Sequence, residues 1–346
     1  MTQAIGGREA ESPEIDIDRK VAFLGSAAAY GGPAMRVDRI ETHFSWVFLT
    51  EKHVFKLKKP LRDDGLDFSS LASRWRNAEA EVRLNRRLAP DVYLGVVPLT
   101  LDGHRLALAG KGTVVDWLVQ MVRLPADRML DRCISRSAWC AAEIQVLGAY
   151  LAKFFATARH PDIEARAYLE RCREECRTSR RILHQAGSSA LRVMSDNVAR
   201  RIESFINRSV ALWQRVEERR IVEGHGDLRP EHVCLGTPPQ IIDCLEFRAE
   251  LRYLDPADEL AFLAMECERL GAPGIGQILF YRYSQRTGDC PPPILILFYR
   301  AIGAMIRARI AMLHLQEFPV RDPEKWPKRA SEYLVIAGRA ARQLDP

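Results

Sequence analysis

Two short β-type runs open the ordered pattern of this chain. Ser45-Trp46-Val47-Phe48-Leu49 and His53-Val54-Phe55-Lys56-Leu57-Lys58 are separated by Thr50-Glu51-Lys52, which reads as a hairpin turn. From Asp67 the apolar spacing becomes helical, with Ser69 or Ser70 as N-cap, and it runs to about Leu88, where Ala89-Pro90-Asp91 stops it. Residues 94–101 and 106–109 predict a second hairpin turning at Asp102-Gly103, and residues 114–123 a further strand. Beyond Pro125 the pattern is mainly helical: residues 138–158, one or two highly charged helices within 166–217, then 256–270, 280–285 and 295–315. One β interruption falls inside this helical half, Val233-Cys234-Leu235, a Gly-Thr-Pro-Pro turn, and Gln240-Ile241-Ile242. The prediction is an α+β fold in two lobes, a small antiparallel sheet with one helix followed by a larger helical part. The boundaries are a loosely ordered extension over 1–35, a sheet lobe over 36–124, and a helical lobe over 125–346. A ligand of such a fold is expected in the cleft between the lobes.

Composition narrows the class. With 346 residues, 47% hydrophobic and 28% charged, the chain can bury a substantial core and reads as an ordinary globular protein. The net charge of +6 is spread along the chain rather than clustered, so it favours anionic small ligands, and nucleic-acid binding is not expected. The eight cysteines form no CxxC pair, which excludes a zinc ribbon or redox motif; Cys234 and Cys244 read as small buried hydrophobes. No run approaches the roughly 18 apolar residues of a membrane span, and no signal peptide is evident, so a cytoplasmic location is expected.

The candidate chemistry lies in the β interruption. His225-Gly226-Asp227-Leu228-Arg229-Pro230-Glu231-His232 places an acid on a loop, and the hairpin that follows returns a second acid, Asp243, toward it. Two converging carboxylates beside a basic residue suit metal-dependent phosphoryl transfer. Asp227 is the candidate base that orients an acceptor hydroxyl and takes its proton. Asp243 ends a buried strand, where a charge is costly unless it is paired or bound to a cation, so metal binding or an arginine salt bridge explains it. Arg229 could neutralise charge on a transferring phosphoryl group, or be a plain surface arginine. His225 is expected to prop the loop, and Gly226 to permit its tight path. Asp255 suits the N-terminus of the helix that follows, and Asp258 is the candidate brace for the loop backbone.

The sheet half offers a partner set. Strand alternation places Lys56 and Lys58 on one face and Lys59 on the other. A sheet lysine held by a helix glutamate is what kinases use on nucleotide phosphates. Lys56 is the first choice and Lys58 the reserve. Of Glu79 and Glu81, which face differently on the helix, Glu81 shares the apolar stripe of Leu84 and Leu88 and is preferred. There is no glycine-rich loop between Arg36 and Lys56 and no GxxxxGK[ST], so a P-loop enzyme is excluded and a glycine-poor hairpin would have to cover the phosphates.

The loop resembles the protein-kinase catalytic loop HRDLKPEN. Taken with Ile40 to Leu49, Phe55-Lys56-Leu57-Lys58-Lys59-Pro60, Leu84 to Pro90, Val119-Gln120-Met121-Val122-Arg123-Leu124-Pro125, Ile242-Asp243 and Asp255 to Leu263, the chain resembles the aminoglycoside phosphotransferase-like superfamily. The likeness falls in its bacterial branch without a fused P-loop ATPase domain. The resemblance implies a protein-kinase-like fold with ATP and magnesium as cofactors. It implies Asp227 as catalytic base, Asp243 as metal ligand, Lys56 with Glu81 on the phosphates, and Met121, Val122 and Arg123 as the hinge facing adenine. His232 departs from the usual asparagine. As a ligand it would suit manganese better than magnesium; otherwise the site uses a single ion, or Glu246 supplies the missing oxygen.

The resemblance implies phosphorylation of a hydroxyl acceptor without identifying it. Arginines 166, 171, 173, 177, 180, 181, 300, 307 and 309 argue against a polycationic aminoglycoside and for a neutral or anionic small molecule or a protein hydroxyl. The competing expectation is a pseudokinase that binds nucleotide or a partner without turnover. Oligomeric state is not legible.

Overall fold

The computed structural model describes residues 15–32, 36–63, 66–316 and 322–344. The chain forms two compact units, one of residues 1–124 with Glu246–Arg248, the other of residues 125–245 and 249–346.

In the first unit, α1 (Ile17–Leu24) is followed by strands β1 (Asp38–Glu41), β2 (Ser45–Leu49) and β3 (His53–Lys58). A two-residue pair, β4 (Arg62–Asp63) and β5 (Leu66–Asp67), leads into α2 (Leu71–Asn85), and β6 (Tyr93–Asp102), β7 (Arg105–Leu108) and β8 (Thr113–Val122) complete the unit. The main sheet is antiparallel with order β1-β2-β3-β8-β6-β7. Of the two expected N-caps, Ser69 and Ser70, it is Ser70 that caps α2, in a capping box with Ser73. The sheet gains one strand over expectation: β1 pairs with β2 through a turn at Thr42, whose N–H and hydroxyl both donate to Ser45 O.

The described part of the 1–35 segment is not a loose extension. Asp16 caps α1, and Val21 and Leu24 pack with Phe48, Phe55, Leu99 and Leu118. Lys20 is buried and bonds Asp116 Oδ2 at 2.7 Å, while Arg74 of α2 bonds Oδ1 at 2.7 Å. Ile17, Val21 and Leu24 follow i, i+4, i+7 spacing, but acids and glycines around them mask the signal.

The second unit is helical apart from short strand pairs. Its elements are α3 (Leu130–Ser135), α4 (Ala141–Thr157), α5 (Ala165–Ala186), α6 (Ser189–Arg208) and α7 (Val210–Glu217), then β9 (Val222–Glu223), β10 (Val233–Cys234), β11 (Gln240–Ile241) and β12 (Tyr253–Leu254). It ends with α8 (Pro256–Arg269), α9 (Gly274–Thr287), α10 (Pro293–Leu313) and α11 (Lys325–Ala341). The charged stretch 166–217 is three helices, and α11 lies beyond the predicted ones. The core joins α5, α6, α8, α10 and α11 through Leu169, Ile202, Met265, Phe298, Met305 and Tyr333. Among the described residues no helix is long and apolar enough to cross a membrane.

A buried polar knot fixes the start of α8. Arg215 donates from Nε and Nη2 to Asp255 at 2.7 and 2.6 Å, and also to Asp289. Asp255 caps Ala257 N and accepts from Tyr299. Removing one member of such a buried network strands the others and costs about 3–5 kcal/mol.

Candidate active site

The loop from Gly224 to Arg229 is held through its backbone. Glu259, in the first turn of α8, accepts the N–H of His225 with both oxygens at 3.0 and 2.9 Å and also accepts the N–H of Gly226. Glu259, not Asp258, therefore braces the loop. Asp258 faces a different set, where burial and the neighbouring Asp255 and Glu259 push its carboxyl up to about 8. The sequence position of the two acids differs by one, which turns a helical side chain by about 100° and separates their roles. Gly226 sits at φ +90, and a Cβ there would meet Leu245, Arg252 and the carbonyl of Leu251 at 3.1–3.2 Å. Its expected conformational role is thus required twice, by φ and by space.

His225 is fully buried and bridges the two ends of the motif. Its Nε2 bonds Ile242 O at 2.9 Å, and its Nδ1 accepts from Asp227 N at 3.3 Å. The ring therefore carries its proton on Nε2, and burial holds its pKa down at about 4. This is the propping role expected of it.

The hairpin folds as predicted, with Val233 opposite Ile241 and Cys234 opposite Gln240. Ile242 N donates to His232 O, and Asp243 follows at φ +63. A non-glycine residue in that region costs about 1–3 kcal/mol and is held by its surroundings. His232 lies between the two acids: its Nε2 is 3.4 Å from Asp243 Oδ2 and its Nδ1 3.9 Å from Asp227 Oδ2. The convergence of Asp227 and Asp243 on one point thus runs through His232.

Arg229 is engaged on three sides. Nε donates to Asp227 Oδ2 at 3.0 Å, Nη1 to Glu231 Oε1 at 2.7 Å, and Nη2 contacts His232 Nε2 at 3.0 Å. It is not a free surface arginine.

The first unit carries its own charged cluster. Lys56 bonds Glu81 Oε1 at 2.9 Å, and Lys58 lies 2.7 Å from Oε2. Both expected lysines therefore meet the expected glutamate, while Lys59 turns away to Glu41. Lys58 is further bonded to Glu246 at 2.6 Å, so the carboxylate considered as a spare metal oxygen is committed to a lysine. That second carboxylate was legible only as a residue three positions after Asp243.

The hinge expectation fares differently. The N–H groups of Val122 and Arg123 are spent on Val92 O and Lys52 O, and the Met121 side chain is buried. Contacts from Val122 and Arg123 to a base would have to come from carbonyls and side chains.

Six of the nine arginines that argue against a polycationic acceptor are ion-paired. Arg173 and Arg177 pair with Glu170, Arg180 with Asp196, Arg300 with Glu268, Arg307 with Glu266 and Arg309 with Glu175. Arg171 is taken up by the carbonyls of Glu250 and Tyr253. Arginine content alone therefore does not create a free cationic face.

A divalent ion fits this loop in part. Asp243 offers a half-exposed carboxylate, the hard oxygen donor that magnesium prefers. His232 is buried and its Nε2 already faces Arg229. Among the described residues, no group of three or more His, Cys, Asp or Glu side chains is arranged to hold a metal ion.

Of the comparisons with known proteins, the one with solved structures bears on the fold. No family model matches the chain. It is 32% identical over 317 residues to an uncharacterized protein of Mycobacterium tuberculosis, covering 87% of this chain and 59% of that one. The chain thus spans about three fifths of the length of the curated relatives it matches. Among solved structures, a choline/ethanolamine kinase family protein from Mesorhizobium loti aligns with TM-score 0.56 at 14% identity over 94% of this chain and 98% of its own. Aminoglycoside 2'-phosphotransferase-IIIa, in its GDP complex, aligns with TM-score 0.56 at 13% identity over 95% and 99%. The chain shares its fold, an antiparallel sheet with a helix followed by a largely helical part, with these two structures.

Proposed function

We propose that this chain is an ATP- and divalent-metal-dependent phosphotransferase acting on a hydroxyl group of a small molecule that is not an aminoglycoside. The observation that carries the reading is the meeting of Asp227, His232 and Asp243 on a loop whose backbone is fixed by Glu259. Asp227 would orient the acceptor hydroxyl and take its proton as the phosphoryl group arrives. Asp243 would hold the divalent ion, which when bound offsets phosphate charge. Lys56, fixed by Glu81, would meet the nucleotide phosphates. The residues flanking the base would be Met121, Val122 and Arg123. Against a polycationic acceptor stands Arg229, a fixed cation bonded to Asp227 itself.

The test is a metabolite panel incubated with ATP and either magnesium or manganese, read by mass spectrometry for a gain of one phosphoryl group. Transfer to a neutral or anionic hydroxyl compound that is lost in Asp227→Asn and Asp243→Ala is expected. Robust phosphorylation of neomycin or kanamycin would overturn the acceptor assignment.

A second reading is a pseudokinase that binds nucleotide without turnover. It is favoured by the engagement of Asp227 with Arg229 and by the spent amides of Val122 and Arg123. Nucleotide-induced stabilisation with no metal-dependent transfer across the panel would select it.

A further inference from the structure

His232 has a single ring lone pair to give, and its neighbours decide where that lone pair points. Nδ1 lies 2.9 Å from the carbonyl oxygen of Asp227. A carbonyl only accepts, so Nδ1 must carry the proton. In that tautomer Nε2 is the acceptor, and it stands 3.0 Å from Nη2 of Arg229, a guanidinium that only donates. A metal ion at His232 would need that same in-plane lone pair. The imidazole cannot serve both.

The other contacts of Arg229 explain why this pairing matters. Its Nε holds Asp227 Oδ2 at 3.0 Å and its Nη1 holds Glu231 Oε1 at 2.7 Å. The guanidinium is therefore a fixed positive charge on the acid the chemistry would use, and it never loses its proton. Asp243 Oδ2 and His232 Nε2 are both acceptors 3.4 Å apart, an arrangement the nearby cation makes tolerable. In protein kinases an asparagine at this point of the loop serves a second magnesium ion.

We propose that Arg229 is the resident cation of this loop and takes the place of a second metal ion, with His232 as its positioning residue rather than a metal ligand. The proposal rests on the phosphotransferase reading for its metal clause, whereas the Arg229–His232 pairing stands on the hydrogen bonds alone. It makes the loop dependent on one exchangeable divalent ion, held by Asp243, and on one charge that no chelator removes.

Two measurements test it. Manganese binding to the full chain in the presence of ADP, counted by electron paramagnetic resonance, should give the same number of ions in wild type and His232→Ala, with affinities within about two-fold. The same variant should lose about ten- to a hundred-fold in kcat while the KM for metal stays unchanged, the pattern of a misplaced positioning group. A lost manganese ion, or affinity weakened by about ten-fold or more in His232→Ala, overturns the proposal. Separately, nitrogen-15 NMR of the histidine rings in the nucleotide-free protein should show His232 protonated on Nδ1 and His225 on Nε2, with the His232 signal alone moving strongly in Arg229→Ala. A proton on Nε2 of His232 overturns the pairing. Wild-type protein that binds no manganese with nucleotide would refute the phosphotransferase reading and with it the metal clause, while the NMR result still decides the pairing.

Discussion

Lys58 Nζ lies 2.6 Å from Glu246 Oε1, and it is the more deeply buried of the two lysines that share Glu81. It thus stands between two carboxylates, whereas Lys56 reaches Glu81 from the more open side. The pair divides two tasks that a single lysine–glutamate pair would have to combine.

That division predicts opposite phenotypes for two similar substitutions. Lys58→Met takes the lysine from the mostly buried Glu246 side chain, leaves Glu81 only Lys56 of its two lysines, and should cost about 3–5 kcal/mol in urea unfolding. Lys56→Met leaves Glu81 paired with Lys58 and should cost about 1 kcal/mol. On the phosphotransferase reading Lys56→Met should nonetheless weaken nucleotide affinity the more. Equal stability losses in the two variants would show that Lys58 is not the structural member.

Glu259 should behave as part of the loop although it touches no reacting atom. Its carboxylate takes the N–H groups of His225 and Gly226, so Glu259→Ala leaves buried donors without an acceptor. A loss of about 2–4 kcal/mol is expected, together with a loss of kcat of ten-fold or more where turnover is measurable. Unchanged hydrogen-exchange rates at His225 and Gly226 in Glu259→Ala would sink this account.

Much of this was legible in the chain because local rules governed it. Alternation placed Lys56 and Lys58 together, the helical stripe selected Glu81, and the hairpin returned Asp243 to the loop. What stayed hidden depends on contacts between distant positions. Nothing local distinguishes Glu259 from Asp258 as the brace, because helix rotation relative to the loop is set by packing. The Lys20–Asp116–Arg74 cluster spans 96 residues, so α1 read as a charged extension. The pairing of Lys58 with Glu246 spans 188 residues and has no periodicity to announce it.

Gly226→Ala should damage the loop more than an ordinary glycine replacement. The residue sits at φ +90, and the added Cβ meets atoms on three residues, one of them a backbone oxygen. Strain of about 1–3 kcal/mol is expected, seen as a lower urea midpoint with unchanged slope. A variant as stable as wild type would mean that the loop takes another path.

Asp258 gives the protein an unusual pH response. Burial first, then Asp255 and Glu259, raise its folded pKa to about 8, with Arg171 opposing, while the unfolded chain has an ordinary carboxyl. An acid raised on folding contributes fully below the unfolded pKa and loses that contribution as pH climbs through the folded one. The sign is therefore destabilising on the alkaline side: between about pH 4 and 8 the unfolded state releases a proton that the folded state keeps. Asp258→Asn keeps the shape and removes the titration. The variant should gain on wild type as pH rises from 4 to 8, by about 1–3 kcal/mol at the top, less than a full shift would give because the side chain is partly exposed. Thermal melts of both proteins across that range read the difference directly. Parallel curves, with a gap that does not change with pH, would show that Asp258 is ionised in the fold.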